Sequence, residues 1–135
     1  MIGSFLVRYI SVLVPLIALD AIWLGVIAKQ FYRSNIGYVM GEPFKWIPAL
    51  LFYLLYSVAL VVFAIQPSMV SSRPVMTALW RGALLGLIAY GTYNLTNHAT
   101  IKGWPLTMTI VDMSWGTLAT AIVCVVAVLL SARLG

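Results

Sequence analysis

The sequence predicts an all-α protein, an integral membrane four-helix up-and-down bundle formed by a single domain over residues 1–135. Two features of composition support this prediction: hydrophobic residues make up 63% of the chain and charged residues only 8%. The mean hydropathy is +1.04. A soluble domain of this length cannot bury so much apolar surface. The third observation is that four apolar stretches reach roughly twenty residues, the length at which an α-helix spans the hydrocarbon core.

The four spans are expected at about residues 2–28, 46–65, 75–96 and 106–131. A closed barrel would instead require short segments with strict alternation of apolar and polar residues, and no such pattern is present in the sequence. The first span is too long for a cleaved signal peptide and is interrupted by Asp20, so we expect it to remain as an anchor. The two later loops are short, which predicts antiparallel neighbouring helices.

The charged residues indicate what the protein contacts and how it is oriented in the membrane. The net charge is +5, and the basic residues lie near span ends or in loops, so we expect membrane lipids as partners and no nucleic acid. The first loop mixes these basic residues with aromatic ones, as is typical of a segment in the headgroup region. Lysine and arginine are equally numerous on the two sides of the membrane. Only the free amino group therefore favours cytoplasmic termini.

A layer of polar side chains on the side of loops one and three is the main functional signal. Asp20 lies about two turns before the end of span one, and Asp112 about two turns after the start of span four. Because successive spans run in opposite directions, both positions fall in the same leaflet. The candidate catalytic residues are Asp20, Asp112 and Asn97, and the candidate pocket residues are Trp23, Tyr53, Tyr56, Tyr90, Asn94 and Trp115.

Two intramembrane carboxyl groups need a physical explanation. Each costs about 2.5 to 3.5 kcal/mol near the bilayer centre, so we expect Asp20 and Asp112 to face other polar helices or a cavity. The helix dipoles favour a neutral Asp20 and an ionised Asp112. The alternative is that these side chains only hydrogen-bond between helices, at about 0.6 kcal/mol per contact. The aromatic residues would then belong to an interfacial belt.

No phosphate loop, dinucleotide fingerprint, nucleophile elbow or zinc signature is present in the sequence. His98 has no second metal-binding residue nearby and Cys124 is isolated in the last span, so we predict neither a metal nor a cofactor. Ala78, Gly82 and Gly86 recur every four residues on span three. This small-residue ridge predicts close helix packing within the bundle, with a homo-oligomer as the alternative.

Four stretches carry a family resemblance: LDAIWLG, FYRSNIG, ALLFYLLYSVALVVFAIQP and GALLGLIAYGTYNLTNHATIKGWPLTMTIVDMSWGT. Together they resemble the bacterial membrane-protein family catalogued as domain of unknown function 2177, over nearly the whole chain. The resemblance implies a four-span protein of the bacterial inner (cytoplasmic) membrane and supplies no established activity. The family usually has aspartate where this chain has Asn94. The candidate residues that match its pattern are Asp20, Trp23, Asn97, Gly103, Trp104, Pro105, Asp112 and Trp115.

Three classes of function fit these features. The preferred one is a polar pocket, open to one leaflet, that binds or modifies a lipid or other lipophilic small molecule. If it is an enzyme, a neutral and an ionised carboxyl group could move a proton during isomerisation or hydration of an unsaturated lipid. The second class is a proton or ion pathway, which would require an oligomer because the opposite leaflet has no polar relay. The third is a structural or partner subunit of a membrane complex.

Overall fold

The computed structural model describes residues 2–135, and this part of the chain is built from helices without strands. Four of the helices are long and apolar enough to cross a membrane, which confirms the predicted all-α membrane bundle. A shorter helix follows the first span. In chain order the helices are α1 (Ile2–Ile27), α2 (Lys29–Ile36), α3 (Trp46–Met69), α4 (Pro74–Thr100) and α5 (Leu106–Leu134).

The second span is longer than expected because the chain accommodates a proline within it. Pro67 has no N–H to donate to the carbonyl group of Phe63, and a regular α-helix would be interrupted there. The helix instead widens into a π-helical turn over Val61–Ile65. The Arg81 guanidinium donates a hydrogen bond to the Phe63 oxygen at 3.0 Å. The predicted end near residue 65 is therefore wrong, and α3 continues to Met69.

The third and fourth spans also extend beyond their predicted ends, near residues 96 and 131. Helix α4 continues to Thr100, and the connection to α5 then contains Gly103 with a φ of 75°, a left-handed conformation that glycine adopts without strain. Helix α5 continues to Leu134. The extra turn of α4 leaves a shorter third loop than the sequence predicts, and the extension of α5 lies at the other end of the bundle.

Helices α4 and α5 approach each other closely along the small-residue ridge. A Cβ atom at Gly86 would overlap the backbone of Gly116 on α5. At Gly82 it would lie 3.0 Å from the Thr120 carbonyl oxygen and 3.0 Å from the Cys124 side chain. The ridge is thus covered by α5 and contributes to packing within the bundle.

The two ends of the bundle differ in how they are filled. The end towards the chain termini and the second loop contains a continuous apolar core contributed by α1, α3, α4 and α5. The opposite end carries α2, which packs against the beginning of α5 through a second apolar cluster. The buried residues Tyr32 and Ile36 of α2 and Ala28, which precedes its first residue, recur every four positions and so lie on one face. The first loop is therefore partly helical and docked on the protein.

Candidate functional site

A cavity of about 600 Å³ lies at the α2 end of the bundle, bounded by side chains from all five helices. Its walls are mainly aromatic and aliphatic, and both Asp20 and Asp112 contribute to its lining. Sites for small molecules typically have volumes of roughly 300 to 1,000 Å³ with a few polar groups in an apolar surface. The size and composition of this cavity therefore fit a small-molecule site.

Asp20 is 5% exposed and does not face lipid. The Tyr53 hydroxyl on α3 donates a hydrogen bond of 2.7 Å to its Oδ2 atom. The indole N–H of Trp115 on α5 donates a bond of 3.1 Å to Oδ1. Each carboxyl oxygen therefore has a donor, which offsets the cost of placing this acidic group inside the bundle.

Asp112 has a matching arrangement on the neighbouring side of the cavity and is 6% exposed. The Tyr32 hydroxyl on α2 donates to Oδ1 at 2.5 Å, and the Asn94 amide on α4 donates to Oδ2 at 2.5 Å. Asn94 is fully buried and also donates to the Tyr90 carbonyl oxygen, one turn earlier on its own helix, at 2.9 Å. This second bond fixes the orientation of the amide that holds Asp112.

Two tryptophans connect these two carboxyl groups. The rings of Trp23 and Trp115 stack with 4.3 Å between their centroids and 5° between their planes. The Trp23 indole N–H donates to the Tyr32 hydroxyl at 2.9 Å. A continuous series of contacts thus runs from Asp20 through the tryptophan pair and Tyr32 to Asp112. Displacing one member disturbs the others, so the two acidic groups are positioned as a unit.

Tyr32 is the site residue that the sequence analysis missed. Burial raises the pKa of its hydroxyl above the ordinary tyrosine value, and the hydrogen bond to Asp112 and its negative charge act in the same direction. Tyr32 therefore stays protonated at neutral pH and serves as a donor. The signal that could have identified it is the apolar spacing of Ala28, Tyr32 and Ile36, which predicts a docked helix where a headgroup segment was expected.

Two basic residues of α2 were also missed as members of the site. Lys29 and Arg33 are exposed and line the cavity. They lie four residues apart and so share one face of α2. From the sequence, these residues are expected only to contact lipid headgroups, because hydropathy does not place them on a helix next to the polar layer.

The structure brings together most, but not all, of the residues predicted from the sequence. Asp20, Tyr53, Tyr90, Asp112 and Trp115 line the cavity. Trp23 and Asn94 lie outside the lining and hold lining residues through the bonds described above.

Tyr56 and Asn97 have other surroundings. Tyr56 is buried in the apolar core and hydrogen-bonds the Thr120 hydroxyl at 2.7 Å, so it is not a pocket residue. Asn97 is half-buried and does not line the cavity. Asn94, three residues earlier on α4, holds Asp112. The prediction that Asn97 acts beside the two carboxyl groups is therefore not carried further.

A separate polar group joins the end of α4 to the beginning of α5. The Thr109 hydroxyl accepts a hydrogen bond from the Trp104 indole at 3.1 Å and lies 3.1 Å from His98 Nδ1. This arrangement links the third loop to α5. Within residues 2–135, no group of three or more His, Cys, Asp or Glu side chains is suitably placed to hold a metal ion.

The cavity lies between α3 and α4 at the α2 end of the bundle. Phe52 and Tyr53 line it from α3, while Ala89, Tyr90 and Tyr93 line it from α4. Phe52 and Tyr93 are also exposed on the outer surface of the bundle, which would contact lipid in a membrane. The gap between these two helices therefore forms a lateral opening of the cavity on the outer surface of the bundle.

Comparison with known proteins yields one match. The model of a family described as a predicted membrane protein, DUF2177, matches residues 5–129. Neither the curated proteins nor the solved structures contain a significant match to the chain. The family match covers every residue of the carboxyl network described above.

Proposed function

Given that the chain belongs to the DUF2177 family of predicted membrane proteins, we propose that it binds a lipid or other lipophilic small molecule in the cavity beside Asp20 and Asp112. The molecule enters sideways between α3 and α4 from a single leaflet. The proposed location is the bacterial inner membrane, with both termini in the cytoplasm. The cavity then belongs to the leaflet on the opposite side from the termini.

The observation that carries this proposal is the combination of a cavity of about 600 Å³ with two fully supported carboxyl groups in its lining. Polar side chains that only connect helices need no adjacent empty volume, because each bond satisfies both partners. Here the carboxyl groups contact their donors on one side and the cavity on the other. They are thus positioned to orient a polar group of a bound molecule.

The same geometry supports a catalytic extension of this binding function. In that scheme Asp20 supplies a proton to the bound molecule and Asp112 accepts one, as in isomerisation or hydration of an unsaturated lipid. Trp23 and Trp115 hold the two groups at a fixed separation. Binding is the primary proposal, and the catalytic step depends on it.

The competing functions have less support from the structure. A proton or ion pathway needs polar groups across the whole membrane. The other half of the bundle is filled by an apolar core that includes Val12, Leu60, Val61, Val123 and Val128. A partner subunit could use exposed apolar surface, but the small-residue ridge suggested for that role is already covered by α5.

Native mass spectrometry of the detergent-purified protein tests the proposal. The wild type is compared with Asp20→Asn and Asp112→Asn, and the molecules released from each are identified. The matched control is Glu42→Gln, which removes the third acidic residue of the chain, a residue outside the cavity lining. We expect a defined molecule in the wild type and the control, and its loss from both aspartate variants.

The result that contradicts the proposal is an empty wild type, or the same bulk lipid in equal amounts on all four proteins. Size-exclusion profiles of the variants show whether loss of the ligand reflects loss of the fold. A variant that elutes like the wild type but carries no ligand supports a direct role of its carboxyl group.

A further inference from the structure

We infer that the bound molecule is an anionic amphiphile with a carboxylate or phosphate head group and a hydroxyl part way along its apolar chain. This inference deepens the proposed function and rests on it. The geometry that points to it is the separation of two kinds of polar group along the cavity. Lys29 and Arg33 are exposed, whereas the two carboxyl groups are buried, so the basic pair marks the surface end of the cavity.

The surface end of the cavity is suited to an anion. Lys29 and Arg33 are exposed, lie one turn apart on α2 and both line the cavity. Their lining neighbours Ile36, Met40 and Phe44 are apolar and provide no competing negative charge. Ammonium and guanidinium groups in this arrangement bind carboxylate or phosphate through charge-assisted hydrogen bonds.

The deeper end of the cavity is suited to a hydrogen-bond donor. An ionised carboxylate only accepts hydrogen bonds. The hydroxyl protons of Tyr53 and Tyr32 are already directed to Asp20 and Asp112. A group of the bound molecule that meets an ionised Asp112 must therefore supply a proton of its own, as a hydroxyl does, and a neutral Asp20 can donate its proton to the oxygen of that hydroxyl.

The distance between the two ends sets the spacing of the polar groups on the ligand. Asp20 lies seven residues before the end of α1 at Ile27, and the last five of these are π-helical. At the rise of an α-helix this stretch would span roughly 10 Å, which is therefore an upper bound. An anionic head group placed at the depth of the two carboxyl groups would be repelled by the negative charge of Asp112. The head group is thus held at α2, with the hydroxyl no more than roughly 10 Å along the chain.

The remaining walls accept the apolar part of the molecule. Leu24, Phe52, Ala89 and Met108 are apolar residues of the cavity lining. Beyond the carboxyl groups, the gap between α3 and α4 leads towards lipid. The rest of the chain can leave the cavity there and continue among the acyl chains.

Binding of defined probes to delipidated protein in detergent tests the inference. The probes are stearate, octadecyl phosphate, a mid-chain hydroxystearate, the neutral glycerol monostearate and acetate. The variant is Lys29→Gln with Arg33→Gln, and the matched control is Lys45→Gln with Lys102→Gln, which removes two basic residues outside the cavity lining. A charge-conserving variant, Lys29→Arg with Arg33→Lys, distinguishes loss of charge from loss of the fold.

We expect stearate or octadecyl phosphate to bind the wild type at least about tenfold more tightly than the neutral monostearate. Comparison of stearate with octadecyl phosphate shows which acidic head group is accepted. Hydroxystearate should bind more tightly again, and acetate should not compete. The glutamine pair should weaken anionic probes by about tenfold or more, while the control and charge-conserving variants should not.

Several outcomes would overturn the inference. One is monostearate binding as tightly as stearate, and another is unchanged stearate binding in the glutamine pair. If hydroxystearate binds no more tightly than stearate, the hydroxyl does not contact the carboxyl groups as inferred. If acetate displaces stearate, an apolar chain is not required for binding. If all lipid probes bind equally and Asp20→Asn abolishes their binding, the proposed function stands and only this inference fails. If no probe binds and the purified protein carries no molecule, both fail.

Discussion

The substitution Tyr32→Phe isolates the hydroxyl group that fastens α2 to the carboxyl network. The phenylalanine ring can keep the apolar contacts of Tyr32 with the cluster around Trp104 and Met108. Two hydrogen bonds are lost, one donated to Asp112 and one accepted from Trp23. The effect on α2 therefore reports on polar anchoring separately from apolar packing.

The magnitude follows from the kinds of bond removed. A hydrogen bond to a charged group contributes about 1.5 to 3 kcal/mol, and a neutral one about 1 kcal/mol. Measured interhelical bonds in membranes reach only about 1.7 kcal/mol, because the opened state also finds partners. We therefore expect α2 to open about 1 to 3 kcal/mol more easily, which increases the opened population roughly 5- to 150-fold.

Hydrogen exchange of the α2 amides, residues Lys29–Ile36, measures this opening directly. The matched control is Tyr38→Phe, which removes another first-loop hydroxyl, one that donates to the Lys102 carbonyl oxygen at 3.1 Å. We expect faster exchange in α2 for Tyr32→Phe, with the exchange of α5 unchanged beyond the contact with Asp112. Equal exchange of α2 in wild type and Tyr32→Phe would refute the view that the carboxyl network holds this helix.

Three further predictions concern the bundle. Gly86→Ala should lower the free energy of unfolding by about 1 to 3 kcal/mol, because the new Cβ atom meets the backbone of α5. Gly25→Ala should not, because the space around Gly25 is open. Thermal unfolding in detergent compares the two variants, and equal melting temperatures would contradict the packing argument. Asn94→Ala should destabilise by about 1 to 3 kcal/mol by leaving a buried carboxyl oxygen without its donor, and unchanged denaturation would exclude that role. A double-mutant cycle between Tyr53→Phe and Asp20→Asn should give a coupling of about 0.6 to 1.7 kcal/mol, and additive effects would remove this bond from the network.

The fold was predictable from the sequence because lipid imposes few solutions. Four apolar stretches of span length leave only a helical bundle, and the structure confirms it. The helix ends were less predictable, because they depend on contacts between distant residues. Pro67 leaves the Phe63 carbonyl oxygen without its helical donor, and the Arg81 guanidinium donates a hydrogen bond to it. Hydropathy alone does not show this contact, so the extension of α3 to Met69 could not be foreseen.

The depth of the site residues along their helices was predictable from the sequence, but the side of the helix on which each side chain lies was not. Counting turns from the helix ends placed Asp20 and Asp112 in one layer, and both line the same cavity. The same counting included Tyr56 and Asn97, because it fixes how deep a residue lies and leaves the side it faces open. Tyr32 was missed for a different reason, since its role depends on a short helix outside the spans.

The lateral opening between α3 and α4 lies in one half of the bundle only, so the proposed binding function would depend on how the chain is oriented in the membrane. A cavity that reached both leaflets would exchange with all the lipid of the membrane, but this one opens at the α2 end alone. If the proposed function holds, the direction in which the chain inserts decides which leaflet supplies the bound molecule. With cytoplasmic termini, as proposed, lipids of the opposite leaflet would reach Asp20 and Asp112, and reversed insertion would give access to the cytoplasmic leaflet instead.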